Sequence, residues 1–134
     1  MEIYRSIDIE ETIRTALSGH GLAIYCRPLP QEFDLPSLLV QNVGGYSTND
    51  WAGRNVVDTF TVTIDSRAQT ESEALSLLRD AIGVLQAVAA EQSTAIAYVE
   101  INSQYSWGQD PVRPDLAMCS ATLIIRAHTE HVNV

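Results

Sequence analysis

The chain has 134 residues, 17 Asp and Glu, 8 Lys and Arg, and a formal net charge of -9. All 8 bases are arginine. This length suits a single domain spanning 1–134 and is enough to bury a core without disulfide or metal staples. An apolar fraction of 46% excludes an acidic disordered tail, and the acidity argues against nucleic-acid readers and against partners on anionic membrane surfaces.

The first helix is predicted from Ile7 to Ser18. Ser6 or Asp8 serves as N-cap, Glu10 and Glu11 lie in the favourable first turn, and Gly19-His20-Gly21 supplies a left-handed stop. Leu22 to Arg27 reads as a short strand stopped by Pro28-Leu29-Pro30, and residues 31–37 as a polar link. A second strand runs from Ser37 to Val43 and is broken by Gly44-Gly45. An irregular stretch, Tyr46 to Arg54, follows. In the third strand Val56, Asp58, Phe60, Val62 and Ile64 alternate with a threonine-rich set, which predicts a half-buried antiparallel strand. It should pair with the second strand as a hairpin with a long, mobile tip.

Thr70-x-x-Glu73 is a capping box, and it opens a helix from Glu71 to Glu91. Leu75, Leu78, Ile82 and Leu85 form one stripe of this helix. Ala74, Leu77, Ala81, Val84 and Val88 form another. Together they fit a deeply buried core helix, or a helix whose second stripe meets a neighbouring subunit. Ala95–Ser103 and Met118–Ala127 complete the strands, with a loop at 105–115 between them and a frayed, flexible tail at 128–134. The order is α-β-β-β-α-β-β. The fold class is α+β: a mainly antiparallel sheet with two helices packed on one face.

Cys26 and Cys119 sit in apolar runs and read as two buried thiols in a reducing cytoplasm rather than a disulfide. The N-terminus carries no signal-peptide pattern, and no segment has the apolar length of a membrane span. His128 and His131 lack a metal-site context, and no catalytic or cofactor-binding residue is assigned. Asp58, on the buried parity of its strand, would need a base such as Arg54 or Arg126. Two loops combine an indole with Gly, Asp and Arg, around Trp51 and Trp107. Trp and Arg are the residues most enriched at interface hot spots. Trp107 is equally compatible with plugging the end of the core. The loop of Trp51 has few other apolar anchors, which points to an interface.

The pieces, taken in order, resemble a known family. They are a short helix ending in glycine, a strand ending in Arg27-Pro28-Leu29-Pro30, and a hairpin bearing Phe60-Thr61-Val62-Thr63-Ile64-Asp65-Ser66. Then come the helix through Glu73-Ala74-Leu75-x-x-Leu78-Arg79-Asp80-Ala81-Ile82 and the segment Trp107-Gly108-Gln109-Asp110-Pro111-Val112-Arg113-Pro114. The last strand is Ala121-Thr122-Leu123-Ile124-Ile125-Arg126-Ala127. This pattern covers nearly the whole chain and resembles the tail terminator, or head–tail joining, proteins of long-tailed phages and prophages. The resemblance implies a non-enzymatic structural protein, without metal or cofactor. It would form a homo-oligomeric ring, commonly a hexamer, that caps the tail tube, ends its polymerisation and meets the head connector while DNA passes through. Its place would be the virion neck, after assembly in the host cytoplasm. Expected interface residues are Trp51, Arg54, Trp107, Arg113 and Asp115, with acids such as Asp50, Asp58 or Asp65 lining the hole. The alternatives are another tail or neck protein, or a small ligand-binding domain or enzyme built on Asp58, Arg126 and Tyr98.

Overall fold

A computed structural model describes residues 1–19, 23–26, 29–30, 32–111 and 113–134, with Gln104 described by its backbone alone. The elements in chain order are β1 (Glu2–Arg5), α1 (Ile9–Ser18), β2 (Ala23–Cys26), β3 (Ser37–Asn49) and β4 (Asn55–Ala68). They continue with α2 (Glu71–Glu91), β5 (Ile96–Gln109), β6 (Ala117–His128) and β7 (Glu130–Asn133). Five strands form one sheet in the order β2-β3-β4-β6-β5, while β1 and β7 form a separate ribbon. Among the described residues only β2 and β3 run parallel; the other pairs are antiparallel. The fold is α+β.

Capping chemistry decides the helix limits. Asp8 takes the cap in extended conformation and accepts the Glu11 amide at 3.2 Å, so α1 begins two residues later than the predicted Ile7. Gly19 does close α1, but with right-handed φ of -72°, its N–H reaching Leu17 O. His20, Gly21, Leu22, Arg27 and Pro28 lie outside the described residues, so the rest of that predicted stop and the ends of the first predicted strand do too. α2 has the predicted bounds. Thr70 Oγ1 accepts the Glu73 amide at 3.2 Å, and Gln92, at φ 56°, closes the far end.

α2 lies against β4, β5 and β6 and buries residues of both predicted stripes, including Ala74, Leu77, Leu78, Ala81, Ile82 and Leu85. This is the deep core helix among the two readings, with Val84 and Val88 left half-buried. Beneath it, Leu38, Val40, Val62, Ile64, Cys119, Ala121, Leu123 and Ile125 project from alternate positions of three strands into one core, which α1 completes with Ile9, Ile13 and Leu17. Each fully buried Leu or Ile contributes roughly 1.5–3 kcal/mol. Ser66 is the polar group in this layer, its hydroxyl within 2.8 Å of Ala74 O and 3.2 Å of Cys119 O. Cys119 is buried and Cys26 half-buried; both are free thiols, raised in pKa by burial.

Three expectations about strand ends are corrected. Gly44-Gly45 does not break the second strand. β3 bulges between Asn42 and Gly44 and continues to Asn49, paired with β4 as far as Asn55. Gly44 and Gly45 hold φ of 155° and 151°, which a glycine accepts and other residues rarely do. Likewise β5 runs on to Gln109, so the first part of the predicted 105–115 loop, residues 105–109, is strand, reached through register shifts between Ile96 and Ser106. Finally, 128–134 is not a frayed tail. His128 ends β6, and β7 pairs with β1 from Glu2↔Asn133 to Arg5↔Glu130. Tyr4 stacks on His131 at 4.7 Å, and Arg5 bonds Glu130. The ladder hydrogen bonds tie the two chain ends together, and the exposed ion pair adds little to them.

Candidate interface residues

The β3–β4 hairpin ends in a turn organised by one carboxylate. Asp50 Oδ1 accepts the amides of Ala52 and Arg54, each at 2.9 Å, and Oδ2 accepts Arg54 Nε at 2.7 Å. Asp50 O accepts the Gly53 amide, and Gly53 takes the left-handed φ of 80° that the turn needs. Those backbone bonds and the Arg54 pair hold the Asp50 carboxyl below the usual carboxylate range. On this closed turn Trp51 is 107% exposed. The indole therefore does not fold back onto the core.

Arg54 is committed within the chain. Besides Asp50, its guanidinium lies 5.3 Å from the Tyr4 ring centroid, joining the hairpin to the β1–β7 ribbon. Asn55 adds a second tie, donating to Ser6 Oγ at 3.1 Å.

Trp107 is placed elsewhere. It stands on β5 opposite Cys119, near the start of β6, whereas the hairpin tip lies toward the end of β6, beyond the Val57↔His128 pair. The residue is 49% exposed, so it does not plug the core end either. Arg113 donates its amide to Asp110 Oδ1 at 3.0 Å, and its guanidinium lies 3.7 Å from the exposed Asp115. The five expected interface residues thus form two groups near opposite ends of the sheet: Trp51 with Arg54, and Trp107 with Arg113 and Asp115.

The most buried ion pair among the described residues was not anticipated by sequence. Arg67 Nε donates to Asp110 Oδ2 at 2.6 Å, with side chains only 7% and 3% exposed, and the guanidinium lies 6.0 Å from the Phe33 centroid. The partners are 43 residues apart, and neither sits in a motif that announces the other. The pair fixes the segment carrying Arg113 and Asp115 to the end of β4.

Asp58 is buried as its parity predicted, but not against Arg54 or Arg126. Its Oδ1 accepts Ser47 Oγ at 2.7 Å and Asn55 Nδ2 at 2.9 Å. Burial pushes the carboxyl pKa upward, but hydrogen bonds from Ser6, Ser47 and Asn55 outweigh it and leave it below its ordinary value. A depressed folded-state pKa stabilises the fold above the unfolded carboxyl value, and that contribution is lost as pH falls through the folded one. We expect acid unfolding followed by circular dichroism to be less steep in Asp58→Asn than in wild type below about pH 4. Equal acid profiles would contradict this account of Asp58.

These contacts also correct the proposed lining of a hole. Asp58 is buried, Asp50 is held by the turn, and half-buried Asp65 accepts Ser120 Oγ at 2.6 Å. None of the three is a free surface acid. Of the residues of the ligand-binding alternative, Arg126 and Tyr98 meet but Asp58 lies apart from them. Arg126 pairs in register with Tyr98 and its guanidinium lies 5.1 Å from that ring, whereas Asp58 pairs with the adjacent Ala127 and so points to the other face.

No helix among the described residues is long and apolar enough to cross a membrane. No family model matches the chain, and no curated protein matches it.

Proposed function

We propose that this protein is a structural virion assembly protein, a tail terminator of a long-tailed phage or prophage. It forms a homo-oligomeric ring, caps the tail tube, ends tube polymerisation and joins the tube to the head connector at the neck of the virion. The observation that carries this reading is the hairpin tip. A wholly exposed indole stands on a turn closed by Asp50, so it is presented for contact at little further conformational cost. The α+β element order, on which the family resemblance rests, supports it. The role uses shape and contact surfaces, with no catalytic residue and no cofactor; DNA passes the ring without specific binding.

Replacing Trp51 tests the reading directly. Trp51→Ala removes no core contact, so its thermal midpoint should stay within about 2 °C of wild type, while capping of purified tail-tube ends in electron micrographs should be lost. Wild-type protein that leaves tube ends bare and able to grow would contradict the proposal. A tail-tube subunit would instead form filaments that lengthen with concentration.

A further inference from the structure

The five-stranded sheet is open at both edges. Among the described residues β5 has β6 as its one strand neighbour, and β2 covers β3 from Ser37 to Val40 and no further. Side chains close the first part of the uncovered β3 edge: Glu10 Oε2 accepts the Asn42 amide and Asn42 Oδ1 accepts the Gly44 amide. From Gly45 to Asn49 every residue is exposed and no strand takes the outward backbone groups. The same holds on β5 from Tyr105 to Gln109. Within these stretches Gly45–Thr48 and Ser106–Gln109 pair with their inner neighbours without a bulge, so their outward groups keep regular strand spacing. Chains that stay monomeric protect such edges with charged side chains or proline. Neither device is present: β3 has no charged residue and no proline over its 13 residues, and Ile101 to Gln109 has none either.

The outward groups of a strand edge are satisfied by water or by another extended backbone. The chain itself offers the matching backbone. β3 and β5 run in opposite directions across the sheet, so copies laid side by side in one orientation bring β5 of the first against β3 of the second antiparallel. Side chains fit as well. The β3 edge carries Gly44 and Gly45, and a Cβ at Gly44 would meet nothing within 4 Å. The β5 edge carries the exposed Trp107, and an aromatic ring packs well across a glycine of a neighbouring strand. We propose that Tyr105–Gln109 of one copy adds as an antiparallel strand to Gly45–Asn49 of the next, so that the sheet continues from subunit to subunit. The two stretches lie toward opposite ends of the sheet, and β2 fills the rest of the β3 edge, so each copy is displaced along the strands toward its neighbour's hairpin tip. Because the two edges are different surfaces of the same chain, the contact is head-to-tail and closes into a ring when the rotation per subunit allows. This deepens the ring reading above and rests on it for closure, but not for the contact itself.

Two double variants each block one edge with charge. Tyr46→Lys with Thr48→Lys charges the β3 edge, and Ser106→Lys with Gln109→Lys charges the β5 edge. All four residues are exposed, so thermal midpoints should stay within about 4 °C of wild type. Each variant alone should associate on the order of 30-fold more weakly than wild type in sedimentation equilibrium. Mixed together, they should form a one-to-one heterodimer and stop there, because one intact β5 edge and one intact β3 edge remain. Hydrogen exchange reads the pairing itself. In wild type, alternate amides of 45–49 and of 105–109 should exchange on the order of tenfold more slowly at millimolar than at micromolar protein. The inference is overturned if wild type stays monomeric up to millimolar concentration, if either variant assembles as wild type does, or if the mixture stays monomeric. Protection confined to β5, the mark of a symmetric β5–β5 pair, overturns it too. The terminator reading fails separately. Heterodimers together with bare tube ends would leave the edge contact standing and remove the function. Tube capping by a wild type whose edge amides exchange freely at every concentration would do the reverse.

Discussion

Arg67→Ala should destabilise the protein by about 3–5 kcal/mol, because it leaves the Asp110 carboxylate buried without its cation. The figure belongs to a broken pair. The geometry is a 2.6 Å charge-assisted bond between side chains that are both more than nine-tenths buried, so little water can replace the guanidinium. For a chain of this size the loss corresponds to a fall of roughly 10–20 °C in thermal midpoint. Asp110→Ala should cost a comparable amount. Replacing both residues by apolar ones of similar volume, Arg67→Met with Asp110→Leu, should recover most of the loss, since the attraction of a buried pair is largely offset by desolvation. Calorimetry on Arg67→Met, Asp110→Leu and their combination gives the coupling. Strictly additive losses would mean that the two side chains act independently. The single variants should also loosen the segment carrying Arg113 and Asp115, since Asp110 accepts the Arg113 amide.

Gly45→Ala should be the second large loss, about 2–4 kcal/mol. A Cβ at this position would lie 2.1 Å from Thr59 O and 3.1 Å from Phe60 Cα, both backbone atoms of the paired strand, and φ is 151°. The neighbour is ladder, not a flexible side-chain end, so relief requires β3 and β4 to separate. Gly44→Ala separates the two causes. Its φ is 155° but nothing lies within 4 Å of the added carbon, so it carries the backbone strain without the collision and should cost about 1 kcal/mol. Urea midpoints for the two variants check this, and equal midpoints would remove the collision from the account. Gly45→Ala should also weaken assembly, because the hairpin that it splays holds the Trp51 tip.

Legibility in the sequence followed the range of the interaction that decides each element. α2 was readable at both ends because its capping box and its apolar period lie within the element. The alternation of β4 was readable for the same reason. The outer half of β3, Gly44-Gly45-Tyr46-Ser47-Thr48-Asn49, has a loop composition and becomes strand through its ladder with β4. The end of β5 becomes strand through its ladder with β6. The β1–β7 ribbon joins two four-residue polar segments at opposite ends of the chain, and no local pattern marks such a pairing. Side-chain partners followed the same rule. The exposure of Trp51 was foreseeable from a tip without apolar neighbours. The Arg67–Asp110 pair was not, and Asp58 found hydroxyl and amide donors where arginine was expected.

The net charge of -9 still weighs against nucleic acid as a specifically bound partner. The residues first expected to repel DNA in a ring are occupied inside the subunit.

Light scattering coupled to size exclusion, from micromolar to millimolar protein, separates a closed ring from a monomer and from an open polymer. A closed ring predicts one assembled species whose mass is a fixed whole-number multiple of the chain and stops growing once formed. A strict monomer across that range, or a mass that climbs without limit, would contradict it.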